Sequence, residues 1–304
     1  MDQLSFFLAA TVRMAIPLLI AALGLVVSER AGLMNIGVEG TMLSGAFAAF
    51  AVAIGTGSYW LGLLAGMAAG ALYALLPSVL VWKFNVSMVI TTLMLNYVAN
   101  YITSYFVTYP LKDTSGDGLA LQTPEIAAGM RLPRLSSTST FNAGFIVAIL
   151  VVVFMVFITR KTVFGYESKM GGFNPSFARY GGTKQVKVML ITMALAGAIA
   201  SMAGSAEVFG LKYRYADGML SSTSYAWTGL QAALIAGLDP VGMFFVSIFL
   251  SGLQIGGSAI QRSLGIPLEI ATIIQCCITL FVSVKVVIRF VKKPKAAKEG
   301  GKQA

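Results

Sequence analysis

The stretch RKTVFGYESKMGGFNPSFARYGGTKQVK, Arg160 to Lys187, decides how the rest of the chain is read. It is a long polar interval holding six basic residues (Arg160, Lys161, Lys169, Arg179, Lys184, Lys187) against one acidic residue, Glu167. Apolar runs long enough to cross a bilayer flank it on both sides. Basic residues translocate poorly, so a loop with such an excess stays on the cytoplasmic side of a membrane. Within it, Asn174 can cap a helix, Pro175 suits the first turn, and Gly181-Gly182 can end it, which predicts a short helix including Ala178, Arg179 and Tyr180. A short capped helix held between two spans acts as a lever rather than a tether.

The composition agrees with a membrane reading. Of 304 residues, 57% are hydrophobic and 11% charged, the mean hydropathy is +0.80, and a soluble domain would carry about 25% charge. The expected fold is therefore an all-α integral membrane protein, a polytopic bundle of about eight to ten transmembrane helices. Net charge is +10, yet 13 of the 22 Lys and Arg lie in the loop 160–187 and the tail 285–302. Positive-inside topology accounts for that distribution, and no basic soluble domain is left to bind nucleic acid. Histidine is absent, which removes the commonest general base and zinc ligand. Cys276 and Cys277 are neighbours in an apolar run, where a disulfide between them would be strained, so they read as packing residues. Carboxylates are scattered and no phosphate-binding G-x-x-x-x-G-K-[ST] occurs. ATP, if it drives this protein, binds to another subunit.

Outward from the basic loop, the apolar pattern predicts spans at Phe6–Val27, two within the uncharged 43 residues Gly40–Trp82, Val86–Tyr109 and Asn142–Thr159. After the loop come Val188–Phe209, Tyr225–Leu238, Val241–Gly257 and Pro267–Ile288. Asp2 stands where a signal peptide would be basic, and Arg13 interrupts the first run, so that segment is expected to stay as a membrane helix. Five crossings before the loop would set the N-terminus outside. At 14 residues, Tyr225–Leu238 reads either as a span or as a re-entrant segment. The whole chain, 1–304, is read as one transmembrane domain with an outer segment 110–141 long enough to fold over its mouth, the cytoplasmic loop 160–187 and a basic cytoplasmic tail 289–304. Gly62, Gly66 and Gly70, at spacing four, predict a ridge against which another helix packs closely.

Polar groups at membrane depth are costly and mark candidate pathways. Asn35 and Glu39 are one helical turn apart among Gly32, Gly37 and Gly40, which reads either as a broken helix beside a solute path or as a solvated helix entrance near Arg30. A buried Glu39 would be driven toward its neutral form by desolvation unless Arg13 or Arg30 pairs with it. Asn96 and Asn100 are likewise one turn apart, and either tie their helix to a neighbour or line a wet path. Asp239-Pro240 reads as a turn cap, and Tyr213, Tyr215, Tyr225 and Trp227 as a belt at the membrane interface.

Four passages carry a resemblance: SERAGLMNIGVEGTMLSGAFAAF (Ser28 to Phe50), ITTLMLNYVANY (Ile90 to Tyr101), FGYESKMGGFNPSFARYGG (Phe164 to Gly182) and GLQAALIAGLDPVG (Gly229 to Gly242). Together they resemble the permease subunits of ABC importers, in the branch that includes branched-chain amino acid, simple sugar and nucleoside systems. E-R-x-G-x-x-N-I-G-x-E-G is most similar to the nucleoside-type members. The resemblance implies that Asn35 to Gly40, Glu39 included, lie close to the substrate path; Asn96 and Asn100 are candidates for the same path from their polarity at membrane depth alone. The resemblance implies too that Gly171, Asn174, Pro175, Ala178, Arg179, Tyr180 and Gly181 form the segment that docks into an ATPase. One departure is Gly172-Phe173, where members often show a small residue followed by an acidic or polar one. The implied partners are an ABC ATP-binding subunit that uses ATP and Mg, a second and related permease chain, an extracytoplasmic substrate-binding lipoprotein and membrane lipid. The chain itself is expected to be no enzyme and to bind no cofactor or metal. Alternatives within transport are a sugar or branched-chain amino acid permease, or an ion-coupled secondary carrier.

Overall fold

The computed structural model describes residues 3–113, 121–133, 142–221, 223–264, 267, 269–270, 272–278 and 280–281. Among them run ten α-helices: α1 (Gln3–Arg30), α2 (Val38–Thr56), α3 (Tyr59–Phe84), α4 (Met88–Thr108), α5 (Gly144–Lys161), α6 (Val163–Phe173), α7 (Pro175–Tyr180), α8 (Gln185–Glu207), α9 (Tyr225–Ile235) and α10 (Pro240–Leu264). Six of these, α1, α2, α3, α5, α8 and α10, are long and apolar enough to cross a membrane. The chain is thus an all-α, multi-pass membrane protein. With 21 residues, α4 reaches about 31 Å at 1.5 Å per residue, though Asn96, Asn100 and several Thr, Ser and Tyr residues make it more polar. By contrast, α9 has 11 residues, about 16 Å, or half of a hydrocarbon core of about 30 Å. The stretch from Tyr225 is therefore a half-length helix rather than a complete span.

Five helices precede the basic loop, as the apolar pattern predicts. Of the long helices α1 is the most enclosed, with every residue from Ala15 to Val27 buried, and it packs against α5, α8 and α9. The helix continues through Pro17. Small residues then bring α2, α3 and α8 together. A Cβ on Gly66 would come within 2.8 Å of both the Gly45 carbonyl and the Ser205 hydroxyl, and one on Gly62 within 2.7 Å of the Ala49 carbonyl. Gly62, Gly66 and Gly70 meet Phe209, Ser205 and Ser201 in turn, so α3 and α8 run in opposite directions. In lipid no water is expelled by helix pairing, and contact area between backbones does the work instead.

At the end of the bundle away from the basic loop, 121–133 pairs with 209–217. Thr123 N–H donates to the Tyr215 carbonyl (2.9 Å), Ile126 N–H to Tyr213 (2.8 Å) and Leu132 N–H to Phe209 (3.0 Å). Tyr215 is 1% exposed and Tyr225 3%, while Arg131 lies 4.4 Å over the Tyr213 ring. Tyr215 and Tyr225 therefore do not belong to the expected interface belt, Tyr215 because the paired segments enclose it and Tyr225 because it is buried against Glu207, whereas Trp227 is exposed.

The chain divides into two compact units at Gly252/Leu253. The second contains the end of α10 and further helical residues between 269 and 281. Cys276 and Cys277 are both unpaired there. The basic tail 289–304, part of the expected last span 267–288, and residues 114–120 and 134–141 of the outer segment lie outside the described residues.

Candidate functional site

The helix break between α1 and α2 is built from its hydrogen bonds. At the end of α1, Leu33 N–H donates to the Ser28 carbonyl (3.0 Å) and Gly32 N–H to Glu29 (3.0 Å). This is a Schellman closure that needs a left-handed residue, which Gly32 supplies at φ +72°. The chain then runs without helix to Val38. Backbone in that state is tolerated inside a membrane protein only if its polar groups are satisfied. Here several are: the Glu29 carboxylate takes the Asn35 N–H, Thr92 Oγ1 takes the Ile36 N–H (3.3 Å), and Asn35 Oδ1 takes the Gly37 N–H (2.8 Å). Asn96 completes the set from α4, donating from Nδ2 to the Ile36 carbonyl (2.9 Å) and accepting the Gly40 N–H on Oδ1 (2.8 Å). Gly40 permits this clamp, since a Cβ there would stand 3.1 Å from the Asn96 Cα.

Asn35, Glu39 and Asn96 are thus brought to one place. Asn35 is buried and turned into its own loop, whereas Glu39 in the first turn of α2 is half-buried and points elsewhere. Its carboxylate accepts a short hydrogen bond from Ser221 Oγ, in the segment leading into α9. A small cavity beside the pair is lined by Leu25, Asn35, Ile36, Val38, Glu39, Ala226, Trp227 and Leu230. The arginines considered as partners lie elsewhere. Arg13 is within electrostatic reach of Glu207, and Arg30 of Asp239 and Arg160. Asn100 is one turn further along α4 and is half-buried.

Arg160–Lys187 folds into two helices. The short helix expected from Asn174, Pro175 and the glycine pair forms over Pro175–Tyr180, with Asn174 Oδ1 accepting the Phe177 N–H (3.0 Å) and Gly182 at φ +83° just beyond. Ala178 is its buried residue, while Pro175, Arg179 and Gly181 are exposed and Tyr180 is 93% exposed. Phe173 and Phe177 are exposed as well, at 73% and 62%. The preceding helix, α6, does not stand out in the sequence. Thr162 caps it, accepting the Gly165 N–H (3.1 Å), but its Gly, Ser, Lys and Glu residues read as loop. Gly171 packs on the Gln185 side chain, whose Nε2 reaches the Pro175 carbonyl (3.4 Å), so the first residue of α8 holds the α6–α7 elbow.

Two further features were hidden in the sequence, and of a third, the Asp239 cap, the sequence showed the cap but not its partner Arg160. Ser221 is one of many serines, and only its contact with Glu39 singles it out. Glu207, 2% exposed in α8, hydrogen-bonds Tyr225; no residue near it in sequence signals that Tyr225 and Arg13 arrive from α9 and α1. Asp239 Oδ2 caps α10 by taking the Gly242 N–H (3.0 Å) and Oδ1 pairs with Arg160 (2.9 Å). Partial burial raises the Asp239 pKa, but the Gly242 amide together with Arg160 and Arg30 outweighs it and holds the carboxyl below its ordinary value.

Comparison with known proteins points the same way. A family model described as branched-chain amino acid transport system / permease component matches residues 7–283. The guanosine ABC transporter permease protein NupP of Bacillus subtilis is 33% identical over 94% of this chain and 83% of its own length. The nucleoside ABC transporter permease protein NupB of Lactococcus lactis is 30% identical over 95% and 84%. The glucose ABC transporter permease protein TsgB13 of Haloferax volcanii is 31% identical over 88% and 73%.

Proposed function

The chain belongs to the family of branched-chain amino acid transport system permease components, and on that premise we propose that it is the membrane subunit of an ATP-driven importer for nucleosides. The observation that carries this reading is the helix break at 31–37, where α4 holds unwound backbone beside a carboxylate. Such backbone belongs next to a cavity or a wet path. Nucleosides are favoured because NupP and NupB are named for guanosine and nucleoside transport, and glucose is the second reading because TsgB13 is named for glucose.

Energy enters from a separate ABC ATP-binding subunit, which binds ATP and Mg; this chain needs no cofactor of its own. Phe173, Phe177, Arg179 and Tyr180 form an exposed apolar and cationic knob on α6–α7 that suits a socket on that subunit. Closure of the ATPase pair moves the knob, and the attached helices tilt so that access alternates between the two faces. A second permease chain completes the conduit, and an extracytoplasmic lipoprotein delivers solute to the cover formed by 121–133 and 209–217. The test is uptake of labelled guanosine, uridine, glucose and leucine by cells with and without the gene. Gene-dependent accumulation of the nucleosides is expected. Accumulation of leucine alone would overturn the nucleoside reading.

A further inference from the structure

Toward the turn that joins them, α3 and α4 leave between them a groove of about 670 Å³. The glycine ridge of α3 seats on α2 and α8 and draws that helix away from α4. Tyr73 of α3 donates its hydroxyl to the Leu95 carbonyl and ties the two helices near the inner end of the groove. Between this tie and the turn, Leu80 and Phe84 on α3 line the recess together with Ile90, Met94 and Val98 on α4. All five side chains are exposed, from 36% at Leu80 to 68% at Phe84. Among the described residues, only α3, α4 and their turn form its walls.

The length of the groove and the charge at its mouth select the occupant. From Ser87 to Val98 it follows α4 for about 16 Å at 1.5 Å per residue. That is the depth of one leaflet, half of a hydrocarbon core of about 30 Å. A helix of a neighbouring chain packs along a seam that crosses the whole bilayer, whereas an acyl chain ends at its midplane. Thr91 leaves the wall apolar by turning its hydroxyl back to the Ser87 carbonyl (2.8 Å). At the mouth, Trp82 and Lys83 are exposed in the last turn of α3, and among the described residues no carboxylate pairs with Lys83. The mouth lies at the end of the bundle that carries the basic loop, since Thr92 of α4 reaches the break at Ile36 and Gly32 of that break meets Gly172 of α6. The positive-inside rule sets this end at the cytoplasmic leaflet, where anionic headgroups collect and where Trp side chains anchor.

We propose that the groove between α3 and α4 binds an anionic phospholipid of the cytoplasmic leaflet, with one acyl chain lying between Leu80 and Met94 and the phosphate held by the Lys83 ammonium. No bond is made or broken. The site is distinct from the break at 31–37 and does not depend on which solute the importer carries.

The test is lipid retention by the purified importer after reconstitution into vesicles of phosphatidylcholine and phosphatidylglycerol in equal parts, read by native mass spectrometry on release into detergent. The wild type is expected to retain phosphatidylglycerol in preference to phosphatidylcholine. Lys83→Gln is expected to lower that preference about fivefold, the size of one basic residue at an anionic surface. Lys161→Gln, at the exposed end of α5 beside the same leaflet, is expected to leave it unchanged. Met94→Trp fills the groove and is expected to abolish the preference. Should Met94→Trp not reach the membrane, a photoreactive benzophenone side chain introduced at Met94 in the whole importer takes its place, and light is expected to join it to a phospholipid. Joining to a second permease chain instead overturns the proposal. So does a wild type that retains both lipids alike, or an equal loss of preference in Lys83→Gln and Lys161→Gln, which would mark a diffuse attraction to the leaflet rather than a site.

Discussion

Gly172 of α6 sits directly against the turn at Gly32 that ends α1: a Cβ on Gly32 would stand 2.9 Å from the Gly172 Cα, and one on Gly172 would stand 2.9 Å from the Gly32 amide nitrogen. Two glycines therefore join the elbow that carries the exposed knob to the segment that leads into Asn35 and Glu39. Gly172→Val forces this joint apart, at a cost of about 1–3 kcal/mol for overpacking. We expect the variant to reach the membrane and keep its ATPase through the exposed face of α7, while uptake drops at least about tenfold. Co-purification and uptake measured on the same cells check this, and normal uptake would show that the joint transmits nothing.

Arg179 and Tyr180 lie on the exposed side of α7, whereas Ala178 packs inward. Arg179→Glu should leave insertion and thermal stability within about 0.5 kcal/mol of wild type, as for a surface change. It should abolish uptake and weaken recovery of the ATP-binding subunit. Full transport by this variant would refute the docking role of α7.

Asn96 makes two hydrogen bonds to the backbone of the break. Replacing it with leucine leaves the Ile36 carbonyl and the Gly40 amide without their partner, at about 1–3 kcal/mol for each buried group. The expected readout is a lower melting temperature of the purified protein in detergent, together with loss of uptake. Asn96→Asp retains an acceptor for Gly40 but has no donor for Ile36, so it should fall between the two. Unchanged melting of Asn96→Leu would exclude the clamp.

Arg160 and Asp239 form an exposed pair, with side chains 55% and 43% accessible. Water screens it, so breaking it by Arg160→Ala should cost no more than about 1 kcal/mol. The sign of its pH dependence follows from the lowered Asp239 pKa. The contribution is complete above the unfolded carboxyl value of about 3.9 and is lost as pH falls through the still lower folded value. Melting of wild type and Arg160→Ala should therefore differ at pH 7 and converge under acid conditions. A difference that grows on acidification would contradict the assignment.

Much of this could be read from local pattern. The α7 helix follows from three adjacent signals, a cap at Asn174, Pro175 at its first position and a glycine pair at its end, and each acts within one turn of backbone. The ridge on α3 follows in the same way from glycines at spacing four. Asn96 was ambiguous because one turn of spacing to Asn100 says nothing about what faces either side chain. The structure assigns Asn96 to the backbone of the break, and Asn35 to its own loop.

The amino-acid sequence by itself determined that the chain is helical and membrane-embedded, where its charge collects, and which stretch forms the short exposed helix α7. These follow from hydropathy, charge and caps that act over a few residues. Only the tertiary structure decided that Ser221 meets Glu39 across 182 positions, that Trp227 turns to the same cavity, and that Gly172 lies on Gly32. Those meetings are set by how tightly helices with small residues approach one another, which no local pattern encodes.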